Sequence, residues 1–443
     1  MEIIMKKIII PALTAMFLLT SCYEKLLFGE GWVDPNPPTE ENGPGQDNTE
    51  MEDLPDEGKV VKSDIFIAAK ENYNYYRIPA IIQTKKGTLL AFCEARNTQP
   101  DFYNEKTFPN VPIQSGTSKD TGDIDLVVKR SEDGGATWSD LQVLYNDQHN
   151  TCGNPAPVID QETGRIILFW CWQRYPSKLN SDLINNISDG HTRRVMYSYS
   201  DDDGLTWTGP FDVTPSVKEA DMNWYATGPC HAIQKQSNPY KGRIIIPANH
   251  RPKSSVDGNQ NYTHCIYSDD HGKTWKMGGK TAVGGNESCI VELGDGNIMT
   301  MMRVAGSDVN VKNRAYSISK DGGDTWGEFT VVPSLIDPGC QGSVSNWFEN
   351  GKPSNTLLLS NCCHKSSRSN LCISVSLDNG ANWNMVKQVW EGRAAYSDIL
   401  VLGDGSVCVM YEYGSGLFGK ANPNEKIGFI RYPASIVRSE LGI

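Results

Sequence analysis

The chain has 443 residues, 39% of them apolar and 21% charged, with 41 glycines and a formal net charge of −12. That charge argues against nucleic acid as a partner, because phosphate binding needs a basic surface, and any anionic ligand has to be met by locally gathered arginine. The length exceeds what one hydrophobic core usually serves, so an array of small repeated cores is expected.

At the N-terminus, Lys6-Lys7 precede an apolar run from Ile8 to Leu19 that reads as a signal peptide, too short to anchor in a bilayer. It ends in Leu19-Thr20-Ser21-Cys22, which resembles a bacterial lipobox, whose cysteine becomes the lipidated first residue of the mature protein. Residues 1–22 are therefore expected to be a lipoprotein signal, with Cys22 the lipidation site and the bacterial cell envelope the destination. Residues 23–59 follow as a linker, Pro-, Gly- and acid-rich from Asp34 to Gly58, with almost nothing to bury.

From residue 60 onward two repeats run in parallel. Gly-led apolar runs start at Gly87, Gly164, Gly242, Gly296, Gly351 and Gly405, the last three intervals being 54, 55 and 54 residues. Between them an eight-residue phrase recurs five times, from Ser131 (SEDGGATW), Ser200, Ser268, Ser319 and Ser376 (SLDNGANW). The phrase reads as a hairpin turn: Ser and Asp side chains bond their own backbone, Gly supplies a positive φ, and Thr-Trp restarts the strand. Six modules of about four strands predict an all-β chain, a six-bladed β-propeller over 60–443, with the strands near Val60–Ala68 and Lys426–Tyr432 closing the ring. Long stretches without periodicity at 97–119 and 174–194 read as insertions, the first a candidate lid.

Of the twelve cysteines, Cys93, Cys171, Cys265, Cys372 and Cys408 lie inside apolar strands, where a thiol behaves as a small hydrophobe. No C-x-x-C pair occurs, so neither a metal site nor a disulfide is assigned.

The five phrases resemble the Asp-boxes of sialidases, and Tyr76-Arg77-Ile78-Pro79 resembles the Y/F-R-I-P motif that opens that family's catalytic domain. The resemblance implies a retaining exo-α-sialidase without cofactor, acting on sialylated glycans, and a monomer is expected. Such a substrate carries a carboxylate on its anomeric carbon, which a trio of arginines would hold, since the guanidinium fork bonds carboxylates bidentately. At the family's motif positions stand Arg77, Arg303 at the end of NESCIVELGDGNIMTMMR, and Arg368 in SSRSNLC. A carboxylate nucleophile approaching that carbon would meet repulsion of about 4 kcal/mol at 4 Å and an effective dielectric near 20. A neutral phenol avoids that cost but needs a base beside it, and sialidases use a tyrosine in this role. Tyr396, in AAYSD, matches the family nucleophile and Glu287, in NES, its activating glutamate. Asp120 matches the general acid, with Asp123 and then Asp125 as competitors, while Glu412 matches the carboxylate that orients Arg77 and Arg96 a substrate-contacting or supporting arginine. Trp172, Trp224 and Tyr225 are candidates for an N-acetyl pocket, although core packing is the favoured reading of each. Three other activities remain open at this point: hydrolysis of a related 2-keto-3-deoxy sugar acid, trans-sialidation, and glycan binding without catalysis.

Overall fold

Each Gly-led apolar run becomes the second strand of an antiparallel group, and each Ser-Asp-Gly-Trp phrase becomes the turn between the third strand and the fourth. The computed structural model describes residues 58–97, 120, 122–148, 150–174, 193–253, 260–305, 311–415 and 422–443. Cys22, the expected signal segment, the expected linker up to residue 57 and most of both expected insertions lie outside the described residues.

In chain order the strands are β1 (Val61–Ile67), β2 (Tyr75–Gln83), β3 (Leu89–Arg96), β4 (Ile124–Ser131), β5 (Gln142–Tyr145), β6 (Thr151–Ile159), β7 (Ile166–Gln173), β8 (Arg194–Ser200) and β9 (Thr208–Asp212). They continue as β10 (Met222–Thr227), β11 (Ile233–Gln234), β12 (Ile244–Pro252), β13 (Tyr262–Ser268), β14 (Lys276–Lys280), β15 (Gly285–Glu292), β16 (Ile298–Val304), β17 (Asn313–Ser319) and β18 (Thr330–Ile336). The last are β19 (Ser343–Glu349), β20 (Lys352–Cys362), β21 (Ser369–Ser376), β22 (Asn384–Val401), β23 (Val407–Tyr413) and β24 (Lys426–Tyr432). The described helices are short, Thr214–Val217 and Ala434–Leu441, so the chain is all-β.

Hydrogen bonding sorts the strands into four sheets. The largest joins β2–β5 to β6–β9 through a single parallel pairing, Ile124 with Thr151. Two smaller sheets hold β10–β14 and β15–β18. In the fourth, β22 is shared: its first half pairs with β21, its second half with β23, and β1 pairs with β24 beyond. The expected closure of the N-terminal strand on Lys426–Tyr432 is thus present. Successive groups pack on one another through their inner strands, β2 on β6, β6 on β10, β11 and β12 of the third group, β12 on β15, β15 on β19, β19 on β22 and β22 back on β2.

Apolar cores fill the gaps between neighbouring groups. Phe92, Leu126 and Val128 meet Leu168, Trp170 and Met196, for example, and Ile81 and Leu89 meet Met410 and Phe429. Strands β3, β7 and β23 are buried on both faces, which is why their sequences are continuous apolar runs without alternation.

The turn phrases satisfy themselves. Asp133 accepts from Ser131 Oγ at 2.8 Å, from Thr137 N at 2.9 Å and from Thr137 Oγ1 at 2.5 Å, while Gly135 N donates back to Ser131 Oγ at 2.8 Å. The same set recurs around Asp202, Asp270, Asp321 and Asp378, where Asn382 replaces the threonine. Gly135 has a φ of +92°, and a Cβ there would stand 2.1 Å from the Phe429 ring, so the turn demands glycine for both conformation and space.

Where the first strands converge, the buried Asp398 of β22 ties four groups together. Its carboxylate accepts from Ile81 N (2.9 Å), His231 N (2.9 Å) and Ser343 Oγ (2.6 Å), and pairs with His231 Nδ1 at 2.7 Å. Burial alone would lower the His231 pKa, but the Asp398 charge outweighs it and raises the imidazole to about 9.

Candidate active site

The first strands share an irregularity. In β2 the register breaks between Arg77 and Ala80, in β6 between Gly153 and Ala156, in β10 between Met222 and Tyr225, in β15 between Gly285 and Ser288, and in β22 between Ala394 and Ser397. A bulge adds a residue to one strand and re-aims its side chain, a device common beside active sites. Among the residues within these breaks are Ile78, Asn154, Trp224, Glu287 and Tyr396. Ile78 takes a φ of +63°, an unusual conformation for a β-branched residue, and it holds Arg77 at the edge of the break.

Glu412, on β23 and with no exposed surface, fixes two of these strands at once. It takes Arg77 Nε and Nη2 at 3.1 Å each, Ile78 N at 2.8 Å and Tyr396 N at 3.2 Å. Such a bidentate pair sets the plane of the guanidinium as well as its position. Arg77 Cζ then lies 4.9 Å from the Tyr396 ring centroid, and Arg368, from the connection before β21, places its Cζ 5.4 Å from the same ring.

The Tyr396 hydroxyl donates to Glu287 Oε1 at 2.5 Å, and Arg303 Nη1 donates to Glu287 Oε2 at 2.7 Å and to the phenol oxygen at 3.3 Å. Burial and the Glu287 charge push the Tyr396 pKa well up, while Arg303, Arg368 and Arg77 pull against them. The phenol is therefore held neutral with a carboxylate in place to take its proton. Two cationic groups here keep unused bonding capacity. The Arg368 guanidinium has no acidic partner among the described residues, and Arg303 Nε is buried without a hydrogen bond. An anion arriving above Tyr396 would give Arg368 a partner.

Asp120 sits before β4 with a side chain 65% exposed, and Arg96 Nη1 and Nη2 both reach its Oδ1 at 3.4 Å. Burial would raise its pKa, but the charges of Arg96, Arg77 and Arg193 lower it instead. Its competitors hold other partners. Asp125 on β4 accepts Tyr73 OH at 2.5 Å and Asn146 Nδ2 at 2.8 Å, and burial raises it to about 7. Asp123 precedes the strand and accepts Asn97 Nδ2 at 3.3 Å.

Tyr396, Glu287, Arg77, Arg303, Arg368, Glu412, Arg96 and Asp120 therefore lie in one connected network. For two of the pocket candidates the favoured reading, core packing, is what the structure shows. Trp172 is buried and donates Nε1 to Asp147 Oδ2 at 2.7 Å, and the fully buried Tyr225 donates its hydroxyl to Val217 O at 3.2 Å, so both are core residues. Trp224 is half-buried, with the Arg193 guanidinium 4.1 Å from its ring centroid and that of Arg251 5.9 Å away.

Sequence reasoning missed Glu94, Arg193 and Arg251. Glu94 accepts Arg96 Nε at 2.8 Å and Asn154 N at 2.7 Å, holding Arg96 against the second group. The signal was present, since Glu94 and Arg96 are two apart on one strand and share a face. Arg251, at the end of β12, donates to Asn261 Oδ1 at 3.1 Å, and burial together with the Arg303 charge lowers its pKa. No motif marks it.

Residues 111–409 match the family model described as a BNR repeat-like domain. The chain is 30% identical over 371 residues to a sialidase of Micromonospora viridifaciens, an alignment covering 80% of this chain and 52% of that protein. Sialidase-2 of Mus musculus is also 30% identical, with 74% of this chain and 85% of the mouse protein covered. Among solved structures, a Hadza microbial sialidase superposes with a TM-score of 0.68 at 24% identity, covering 83% of this chain and 67% of that one. The chain spans about half the length of the Micromonospora relative. On the family model and the mouse relative together, the chain belongs to the sialidase family.

Proposed function

We propose that the chain is a retaining exo-α-sialidase that releases terminal sialic acid from glycoconjugates. One observation carries this reading: a buried tyrosine hydroxyl 2.5 Å from a glutamate, ringed by three arginines of which one has no acidic partner among the described residues. Arg77, Arg303 and Arg368 bind the sugar carboxylate. Asp120 gives its proton to the leaving oxygen while Tyr396 Oη attacks the anomeric carbon and passes its own proton to Glu287. The product of this step is a glycosyl-tyrosine. Water then gives a proton to Asp120 and attacks the same carbon, and Tyr396 leaves with the proton held by Glu287, so configuration is retained. In the free protein Arg96 keeps Asp120 ionised. The bound carboxylate offsets the arginine field around Asp120, which favours its protonation when the substrate is in place.

The scaffold proposed is a six-bladed β-propeller, a reading supported by the closed circuit of contacts between successive groups and by the shared strand β22. The chain is further proposed to be held at the bacterial cell envelope through lipid on Cys22, as the lipobox-like segment implies.

The test is release of free sialic acid from α2,3-, α2,6- and α2,8-linked substrates by wild type and by Tyr396→Phe. Release by wild type, with loss of at least about a thousandfold in the variant, supports the reading. A wild type that binds sialosides without releasing the sugar refutes it in favour of a glycan-binding module. Added lactose separates transfer from hydrolysis by its sialylated product.

A further inference from the structure

The segment that carries Arg368 contains a second chemistry that this reaction does not use. In the β20–β21 ladder Asn361 stands opposite Cys372 and Cys362 opposite Leu371, and just beyond it Cys363 N donates to Asn370 O at 2.8 Å. Successive side chains of a strand point to opposite faces, so Cys362 and Cys363 part company. Cys362 turns inward, its thiol donating to the carbonyls of Ala394 (3.5 Å) and Ala395 (3.3 Å). Cys363 turns to the other face, where its sulfur lies 3.6 Å from Asn361 Oδ1. Cys372, opposite Asn361, shares that face and stands diagonally across from Cys363.

An ideal diagonal pair is about 7–8 Å apart, wide for a disulfide. Asn370, however, breaks the pleat between them with a φ of +56°, and its carbonyl oxygen draws both cysteines together, accepting from Cys363 N at 2.8 Å and from Cys372 Sγ at 3.4 Å. Cys363 is also the one cysteine among the described residues that is not buried, so an oxidant can reach the pair. Between the two cysteines lie the connection 364–368 and the first residues of β21, 369–371. The connection is bound at its far side by Ala394 N donating to Arg368 O at 3.2 Å and internally by Ser367 N donating to His364 Nδ1 at 2.9 Å.

We infer that Cys363 and Cys372 form a reversible disulfide across the neck of the loop that presents Arg368. One thiolate of the pair attacks a sulfur of a small-molecule disulfide such as oxidised glutathione, expelling one small thiolate and leaving a mixed disulfide. The other protein thiolate then attacks the protein sulfur of that intermediate and expels the second small thiolate. Two S–H bonds are broken and one protein S–S bond is formed; the two electrons and two protons leave with the two small thiols. The bridge pins the base of the loop, so Arg368 is held over Tyr396 by a covalent tie as well as by the Ala394 contact. The inference does not depend on the hydrolase reading, because its readout is thiol chemistry.

The experiment treats the purified full chain with oxidised glutathione, alkylates it under denaturing conditions, and reads intact mass and a non-reduced peptide map. The expected result is loss of two alkylatable thiols, a mass lower by two hydrogens before alkylation, and a Cys363–Cys372 linked peptide that dithiothreitol separates. Cys372→Ser abolishes the link, whereas Cys230→Ser, at a buried site outside this loop, preserves it. In parallel, trypsin cleavage after Lys365 and Arg368 slows on oxidation and recovers on reduction. Both thiols remaining alkylatable, a stable glutathione adduct at Cys363, or a bridge from Cys362 would each overturn the inference. Should Cys372→Ser fail to fold, the wild-type peptide map decides alone.

Discussion

Glu412 is the residue whose loss should couple stability to activity most tightly. In Glu412→Gln the side chain keeps its shape but one carboxylate oxygen becomes an NH2 group. Whichever oxygen is replaced, two hydrogen bonds are lost, either those from Arg77 Nε and Ile78 N or those from Arg77 Nη2 and Tyr396 N. Hydrogen bonds to charged groups contribute about 1.5–3 kcal/mol each, and breaking a buried ion pair by removing one partner costs about 3–5 kcal/mol, so both routes put the loss near 4 kcal/mol. For a chain of this size that corresponds to a fall in Tm of about 4–5 °C. Arg77 and the Tyr396 backbone both lose an anchor, and a misplacement of about 1 Å costs on the order of a hundredfold in kcat/KM. Thermal unfolding followed by tryptophan fluorescence and initial rates on a fluorogenic sialoside measure the two effects. A variant within about 0.5 kcal/mol of wild type, with unchanged kcat/KM, would refute the role given to this carboxylate.

Three further outcomes follow from the same geometry. In Arg96→Gln the strongest cation holding Asp120 ionised is gone, so the Asp120 pKa rises; the limb on which kcat/KM falls as this acid loses its proton should move to higher pH, and an unmoved or downward-shifted limb contradicts the pairing. His231 has a folded pKa of about 9 against 6.5, so the stability from its pair with Asp398, about 3 kcal/mol, is fully present below pH 6.5 and lost as pH rises through 9. Urea unfolding between pH 6.5 and 9.5 should show that decline in wild type and not in His231→Asn. Asp202→Ala removes the acceptor of Ser200 Oγ, Thr206 N and Thr206 Oγ1, which should cost about 1–3 kcal/mol while kcat/KM stays unchanged, because the turn lies apart from Tyr396.

Local chemistry was legible in the sequence wherever a residue's neighbours along the chain determine what it does. The turn phrases are of that kind: Asp133 finds every partner between Ser131 and Thr137, so spacing alone announces its role. Strand pairing was almost as plain, since Gly405 and Lys426–Tyr432 leave only β1 to complete the last group. Long-range partners were legible only through family resemblance. Glu412 is 335 positions from Arg77 and 16 from Tyr396, and no periodicity connects them. The bulges that turn Glu287 and Tyr396 toward each other are invisible in composition, because one extra residue leaves the apolar pattern nearly intact. Trp172 and Tyr225 illustrate the opposite difficulty. An aromatic residue reads the same whether it lines a pocket or fills a core, and here hydrogen bonds to Asp147 and Val217 assign both to the core. Arg251 was illegible because an arginine at a strand end has an ordinary place on any surface, and only the approach of Arg303, Asp120 and Glu287 makes it part of this site.

The covalent step offers the most direct test. Incubation with a 3-fluoro sialosyl fluoride, which forms the glycosyl-enzyme readily and releases it slowly, followed by peptide mass spectrometry should find one sialosyl group attached to Tyr396. No adduct should form with Tyr396→Phe, and Glu287→Gln should accumulate it more slowly than wild type. A sialosyl group on any carboxylate, or inactivation of the Tyr396→Phe variant at the wild-type rate, would contradict the tyrosine nucleophile.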